Sequence, residues 1–454
     1  MKINPSSTAS NTTMSSSQDT SGFQIAANGT AFQILSSGLY SNKIAAVIRE
    51  LSCNAVDAHA MVNDSNKPIK VQLPTAKDPV LQISDEGPGL SHEQILSLYT
   101  TYFSSNKRES NNFIGGLGLG SKSPFAYTKV FTVASTQNGL KRVYACALSD
   151  DGSPTITKTA EVKTTRANGI DVSMPVQQKD IGMFEQEAAK VFSWFRVRPQ
   201  VNIHLNYQDD QKMIVTPSFT LMAKNFSLGR WEAFQGLVQM GDVTYPIDFM
   251  QLNQQAGHEH FQTMLNTFPM VVKSPIGFLS VAASREALQY DPQTRKNMVQ
   301  LFTQAMSDFM RTWHDAGKNE VTQWAKRVAY YQFWTKYSRG YFNSGLSETL
   351  KFFAKQYPDI LAVVEQQKTA KLHTAGTLPN VNVGYYELHK TTKKQVEQGR
   401  FSVGKHKHDL RLPYTEGAIL VVDSVQVNER VKSWRDLNPK SWVLLVSGNK
   451  KKDE

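Results

Sequence analysis

Two cysteines, Cys53 and Cys146, are all that the 454 residues contain. That is too few for a disulfide framework or a thiolate zinc site, and it predicts a reducing, cytoplasmic setting. No apolar run reaches the roughly 18–20 residues that a membrane-spanning helix needs. The opening MKINPSSTASNTTMSSSQDT lacks the apolar stretch of a secretory leader, and its Ser/Thr-rich composition predicts a flexible arm over residues 1–22. No internal repeat and no Cys/His metal cluster is visible. The G-x-x-x-x-G-K-[ST] spacing of a Walker A loop is absent. No glycine-rich turn sits in a βαβ unit with a downstream acid, which argues against a dinucleotide fold. What is present is a globular composition, 40% hydrophobic and 20% charged, with a net charge of +11. That balance favours polyanions (nucleic acid, an acidic membrane surface or a nucleotide) without choosing among them.

The periodicities predict an α+β chain in three regions. Residues 23–35 read as a strand and turn entering helical sequence, and Ser41–Val62 has helical apolar spacing. Short strands follow at Val71–Leu73 and Val80–Ile83. A loop-rich stretch from Ser91 to Gly120 ends in a glycine cluster, before strands at Val130–Ser135, Val143–Leu148 and Ile170–Met174. Helices over a mixed sheet would close a first domain at 23–178. A helix near Lys179–Phe195 opens a region at 179–340, with strands at Val201–Asn206, Leu237–Gln239 and Phe278–Ala282 and long amphipathic helices from Pro292 to Tyr337. The remainder, 341–454, holds a linker-like stretch at Lys368–Gly384 and a strand–helix–strand pattern in GAILVVDSVQVNERVKSWRDLNPKSWVLLVSG.

Three segments carry chemistry. In YSNKIAAVIRELSCNAVDAHA, helical spacing puts Glu50, Asn54 and Asp57 on one face. A carboxylate there can polarise an attacking water, and an amide oxygen one turn on suits Mg²⁺. A polar stripe on a surface helix would look the same. In ISDEGPGLS, Asp85 follows a strand and precedes Gly87 and Gly89. It can accept a hydrogen bond from an exocyclic amine while the glycines let backbone pass a flat ring; a plain Asp/Gly turn is the alternative. In FIGGLGLGSKSPFAY, Gly115, Gly118 and Gly120 enter a helix whose backbone N–H groups can cradle phosphate, with Lys122 adding charge nearby.

In order, E-x-x-x-N-x-x-D-A, D-x-G-x-G and G-x-x-G-x-G resemble the GHKL (Bergerat-fold) ATPases: gyrase-type topoisomerases, MutL, histidine kinases and the ninety-kilodalton heat-shock chaperones. The resemblance covers residues 23–175. It implies a Bergerat-type α/β sandwich that binds ATP with Mg²⁺ and hydrolyses it, followed by a second α/β transducer-like domain and a small C-terminal α/β region. By the same resemblance Glu50 is the water-activating base, Asn54 the Mg²⁺ ligand, and Asp57 a neighbour of the nucleotide. Asp85 would read the adenine amine, Gly87 and Gly89 would pass the ring, and the Gly115–Gly120 loop would cover the phosphates. Lys107, in FSSNKR, would approach them from a lid at residues 91–120. The usual Gly-Thr motif departs to Asn168-Gly169-Ile170-Asp171, where Ile170 has no hydroxyl.

FLSVAASREALQYD, Phe278–Asp291, resembles the chaperone middle-domain loop and implies that Arg285 reaches the γ-phosphate. An N-cap at Ser284 explains the same run. The GGLGLGSKSPFAY version most resembles bacteriophage rIIA-like proteins, linked to lysis inhibition and exclusion. That implies a clamp or switch that dimerises on binding ATP, acts in the host cytoplasm on a phage or host protein, and is open to peripheral membrane association. A chaperone-like ATPase and a DNA-associated ATPase in the style of MutL or gyrase are the alternatives, and the basic stretch His389–Arg411 keeps DNA among the candidate partners.

Overall fold

The computed structural model describes residues 29–36, 38–102, 118–226, 236–252, 258–321, 323–339, 344–365, 369–371, 411–413, 419–422 and 442–445. They belong to two compact units, one of residues 1–223, 227–258 and 270–302, the other of 224–226, 259–269 and 303–454.

The first unit opens with α1 (Gly29–Ser36) and α2 (Lys43–Met61). Residues 29–36 are thus helix where a strand and turn were expected; residues 23–28 lie outside the described set. Asn42 starts α2 in an extended conformation, with its side chain accepting the Ala45 N–H. Asn63, left-handed at φ 58°, follows its end. Next come β1 (Lys70–Gln72), β2 (Val80–Ser84), α3 (His92–Thr100), β3 (Val130–Gln137), β4 (Leu140–Leu148), β5 (Pro154–Lys163), β6 (Gly169–Pro175), α4 (Ile181–Phe192) and β7 (Gln200–Val201). A short 3-10 helix at Gly120–Ala126 precedes β3.

The seven strands form one sheet in the order β5-β4-β3-β6-β2-β1-β7. It is antiparallel except where β7 joins β1. Helix α2 lies over β2 and β6 and packs against α4, giving the mixed α+β sandwich expected. The register pairs Ser84 with Asp171, so Asp85 leaves β2 beside Ile170. Strand β5 went unread because PTITKTAEVK is mostly exposed and polar, and its alternation of Ile156, Ala160 and Val162 is interrupted by Lys158.

A second sheet in this unit is built from β8 (Lys212–Val215), β9 (Phe219–Met222), β10 (Leu237–Met240), β11 (Val243–Pro246) and, after α5 (His258–Thr267), β12 (Met270–Ser274). Its order is β11-β10-β12-β9-β8. The strand expected at Phe278–Ala282 is reduced to one bridge, Val281 to Leu288, because the chain reverses between them with Arg285 left-handed at φ 55°.

The second unit takes most of α5, the later part of α6 (Pro292–Asp315), α7 (Gln323–Tyr337), α8 (Ser344–Phe353) and α9 (Pro358–Glu365). Its core is aromatic: Trp313 stacks on Phe333 with centroids 5.5 Å apart, and the Trp313 indole donates to the Tyr330 carbonyl at 3.0 Å. Further on, β13 (Thr369–Lys371) and β14 (Arg411–Pro413) pair antiparallel, and β15 (Ile419–Val422) and β16 (Trp442–Leu445) pair in parallel. Residues 372–410, the basic stretch included, and 423–441 lie outside the described set. Among the described residues no helix is long and apolar enough to cross a membrane.

Candidate functional site

A cavity of about 170 Å³ opens in the first unit between α2, the end of β2, the loop entering the 3-10 helix, and residues 283–285. One end is apolar, walled by Met61, Ile83, Leu98 and Val172, and holds Asp85. Asp85 is fixed by backbone: its N–H donates to the Ile170 carbonyl at 2.9 Å. Its Oδ1 accepts from the N–H of Gly87 at 2.8 Å and of Ile170 at 3.3 Å. Oδ2 has no hydrogen bond among the described residues, so it is the acceptor left for a ligand. Burial pushes this carboxyl up to about 6, against the pull of those two N–H groups. Gly169 makes the arrangement possible, since a Cβ there would fall 2.1 Å from the Asp85 carbonyl oxygen. Ile170 thus supplies backbone N–H and C=O to Asp85 and an apolar side chain to the wall.

The other end is charged. Glu50, on α2, is buried between two guanidinium groups: Nη1 of Arg285 donates to Oε2 at 2.8 Å and Nε of Arg49 to Oε1 at 3.3 Å. Arg285 is itself buried, and its Nη2 has no hydrogen-bond partner among the described residues. A left-handed arginine costs on the order of 1–3 kcal/mol of backbone strain. The surrounding contacts hold it: Arg49 Nη2 donates to the Ser284 carbonyl at 2.9 Å. The carboxylate of Glu286 accepts from the N–H of Ser41 at 2.9 Å, from its hydroxyl at 3.0 Å and from the N–H of Asn42 at 3.1 Å. The 284–286 run is therefore fastened to the first turns of α2, a contact that sequence alone did not reveal.

Asn54 lines the cavity one turn beyond Glu50, and its amide has no hydrogen bond among the described residues. Gly118 and Gly120 line it opposite. A Cβ on Gly120 would lie 2.7 Å from Glu50 Oε2, so any side chain there would have to displace the carboxylate. Among the described residues no three His, Cys, Asp or Glu side chains cluster to hold a metal. The donor set therefore fits a Mg²⁺ that takes one protein oxygen, from Asn54, and otherwise water and phosphate oxygens.

Glu50, Asn54, Asp85, Gly89, Gly118, Gly120 and Arg285 thus share one cavity. Gly87 stands behind it, donating to Asp85. Lys107 and Gly115 lie outside the described residues. Asp57 does not line this cavity but a second one, of about 560 Å³, with Asp242, Lys212 and Lys273. At about 100° per residue, the lining positions Glu50, Asn54, Ala58, Leu51 and Ala55 sweep about 140° of α2, and Asp57 falls about 20° beyond the Glu50 edge. Lys122 is drawn away too. Its ammonium donates to the carbonyls of Leu98 at 2.5 Å, Thr101 at 2.9 Å and Gly118 at 3.0 Å, which fastens the end of α3 to the glycine loop. Tyr40 and Tyr99, singled out by no motif chemistry, also line the cavity.

Residues 40–182 match the family model described as histidine kinase-, DNA gyrase B-, and HSP90-like ATPase. This segment is thus similar to the GHKL ATPase domains. A search among curated proteins finds no match. The matched segment contains α2, the Asp85 turn, the glycine loop and strands β1 to β6, and the likeness supports ATP binding. Arg285 comes from outside the matched segment, yet within the same compact unit.

Proposed function

We propose that this chain is a Mg²⁺-dependent ATPase in which Glu50 is the general base and Arg285 the γ-phosphate sensor. The observation that carries the reading is the buried Arg285–Glu50 pair at 2.8 Å, with Arg285 lining the cavity and its Nη2 without a hydrogen-bond partner among the described residues. Asp85 Oδ2 accepts a hydrogen bond from the adenine amine. Backbone N–H groups around Gly118 and Gly120 take the phosphates. Asn54 holds the Mg²⁺, which when bound neutralises phosphate charge. Arg285 leaves Glu50 for the γ-phosphate, so the same movement frees the base and stabilises the charge of transfer. Water oxygen then bonds to the γ-phosphorus as the bond to the β-phosphate oxygen breaks. The water's proton passes to Glu50, and ADP carries away the leaving electron pair.

The biological role we infer is an ATP-driven clamp or switch of the bacteriophage rIIA-like kind, dimeric with ATP and acting on a phage or host protein. The SKSPFAY continuation of the glycine loop supports it. Arg285→Ala is expected to keep ADP affinity, to slow ATP turnover by roughly 10²-fold or more, and to weaken any ATP-dependent rise in mass. Calorimetry, phosphate release and light scattering of the intact protein measure these. Wild-type turnover in Arg285→Ala would remove the sensor role. An identical monomeric mass with ADP and with a non-hydrolysable ATP analogue would remove the clamp.

A further inference from the structure

His59 lies one residue past the E-x-x-x-N-x-x-D-A pattern and has no role in it, yet it touches the turn that presents Asp85. It lies in the last turn of α2 and is 2% exposed. Both ring nitrogens are engaged: Nδ1 is 3.0 Å from the Lys67 carbonyl oxygen, and Nε2 is 2.9 Å from the Glu86 amide nitrogen. A carbonyl oxygen only accepts and an amide N–H only donates. The ring is therefore neutral, with its proton on Nδ1 and the Nε2 lone pair facing Glu86.

The Glu86 amide and the Asp85 carbonyl are two edges of one planar peptide group. His59 grips the N–H edge, and Gly169 lies against the oxygen edge so closely that a Cβ would stand 2.1 Å from it. The hydrogen bond at one edge and the close backbone packing at the other restrict rotation of the peptide and so the bearing of the Asp85 side chain. The Glu86 carboxylate adds an outer anchorage, with Lys67 at 2.6 Å and Lys70 at 2.7 Å, and those two lysines hold it down to about 2. The charged groups around the ring are thus Asp85, Glu86, Lys67 and Lys70.

We propose that His59 is a positioning residue for base recognition, fixing the Asp85–Glu86 peptide so that Asp85 selects an adenine amine over a guanine carbonyl. This rests on Asp85 reading the base, and the closing experiment separates the two ideas. A histidine that only completed the end of α2 would affect stability and leave base preference alone.

The test measures ADP and GDP affinity by calorimetry for wild type, His59→Leu, His59→Gln and Asp85→Asn in the full chain. His59→Leu is expected to lose roughly 10- to 100-fold in ADP affinity, the scale of one or two lost hydrogen bonds, and to narrow the ADP-to-GDP preference. His59→Gln, whose amide can both accept from Glu86 and donate to Lys67, is expected within about threefold of wild type. Nitrogen NMR of the wild type should show Nε2 unprotonated at neutral pH, a readout that survives if His59→Leu does not fold. Loss in Asp85→Asn with wild-type affinity and preference in a folded His59→Leu overturns the His59 proposal alone. A protonated Nε2 overturns it too. Undiminished ADP binding in Asp85→Asn overturns the adenine reading, and this proposal with it.

Discussion

The cavity holds two carboxylates in opposite settings. Asp85 is held by backbone N–H groups at an apolar wall, with no ion pair of its own among the described residues, and its carboxyl is pushed up to about 6 by burial. Glu50 is wedged between Arg49 and Arg285. A carboxylate without a cation suits the reading of a neutral amine, since the hydrogen bond is weighed against poor solvation, not against an ion pair. A carboxylate clasped by arginines suits chemistry that is switched, since a guanidinium that leaves changes what it can do. On the proposed mechanism the two ends differ in use, one fixed before binding and the other rearranged by it.

The hardest break is at the charged end. Glu50→Ala should lower ATP turnover by roughly 10²- to 10⁴-fold, the range for a lost general base, while ADP binds as before. Phosphate release and calorimetry decide it, and near-normal turnover would move the base elsewhere. At the other end, Asp85→Asn turns an N–H toward the adenine N–H and should weaken ADP binding by roughly 10²-fold, about 3 kcal/mol for an unmatched buried polar pair. Unchanged affinity there would take the adenine from Asp85.

A gentler probe sharpens the contrast by pH. Asp85 has a carboxyl raised to about 6, so it is ionised above that value and protonated below. Its free oxygen accepts the amine only when ionised. ADP affinity should therefore fall as pH drops through about 6, approaching tenfold per unit below it. The part of that slope due to Asp85 should vanish in Asp85→Asn, and an identical slope in both proteins counts against the assignment. The smallest effect belongs to Glu286→Ala, which strips the acceptor from Ser41 and Asn42 at the start of α2. It should cost about 1 kcal/mol, the scale of a lost N-terminal cap, read as a shift in denaturant midpoint. A change below a few tenths would mean that the contact carries no stability.

What could be read beforehand was what is local. Glu50 and Asn54 share one helix, Asp85 and Gly89 share one turn, and their spacing is fixed by those elements before any tertiary contact forms. Asp57 shows the limit of that reasoning, because periodicity gives a face but not which arc of the face the sheet leaves open. Lys122 shows another: a lysine beside a glycine loop reads as a phosphate ligand until three carbonyls are seen to hold it. The Glu286 clasp on Ser41 and Asn42 joins residues that no window of sequence contains together. His59 escaped notice because its partners are backbone atoms, which leave no trace in side-chain patterns.

That clasp spans 245 residues from Ser41 and 244 from Asn42. At roughly 5–20 residues per second, a ribosome takes on the order of 10–50 s to cover that interval. During it, the nascent chain can pair β1 to β6 and shape the Asp85 end, while Glu50 awaits its second arginine. On the proposed mechanism, a chain released early would keep the Asp85 end of the cavity yet lack Arg285. If Arg285 acts as proposed, competence for turnover would date to the emergence of residues 284–286.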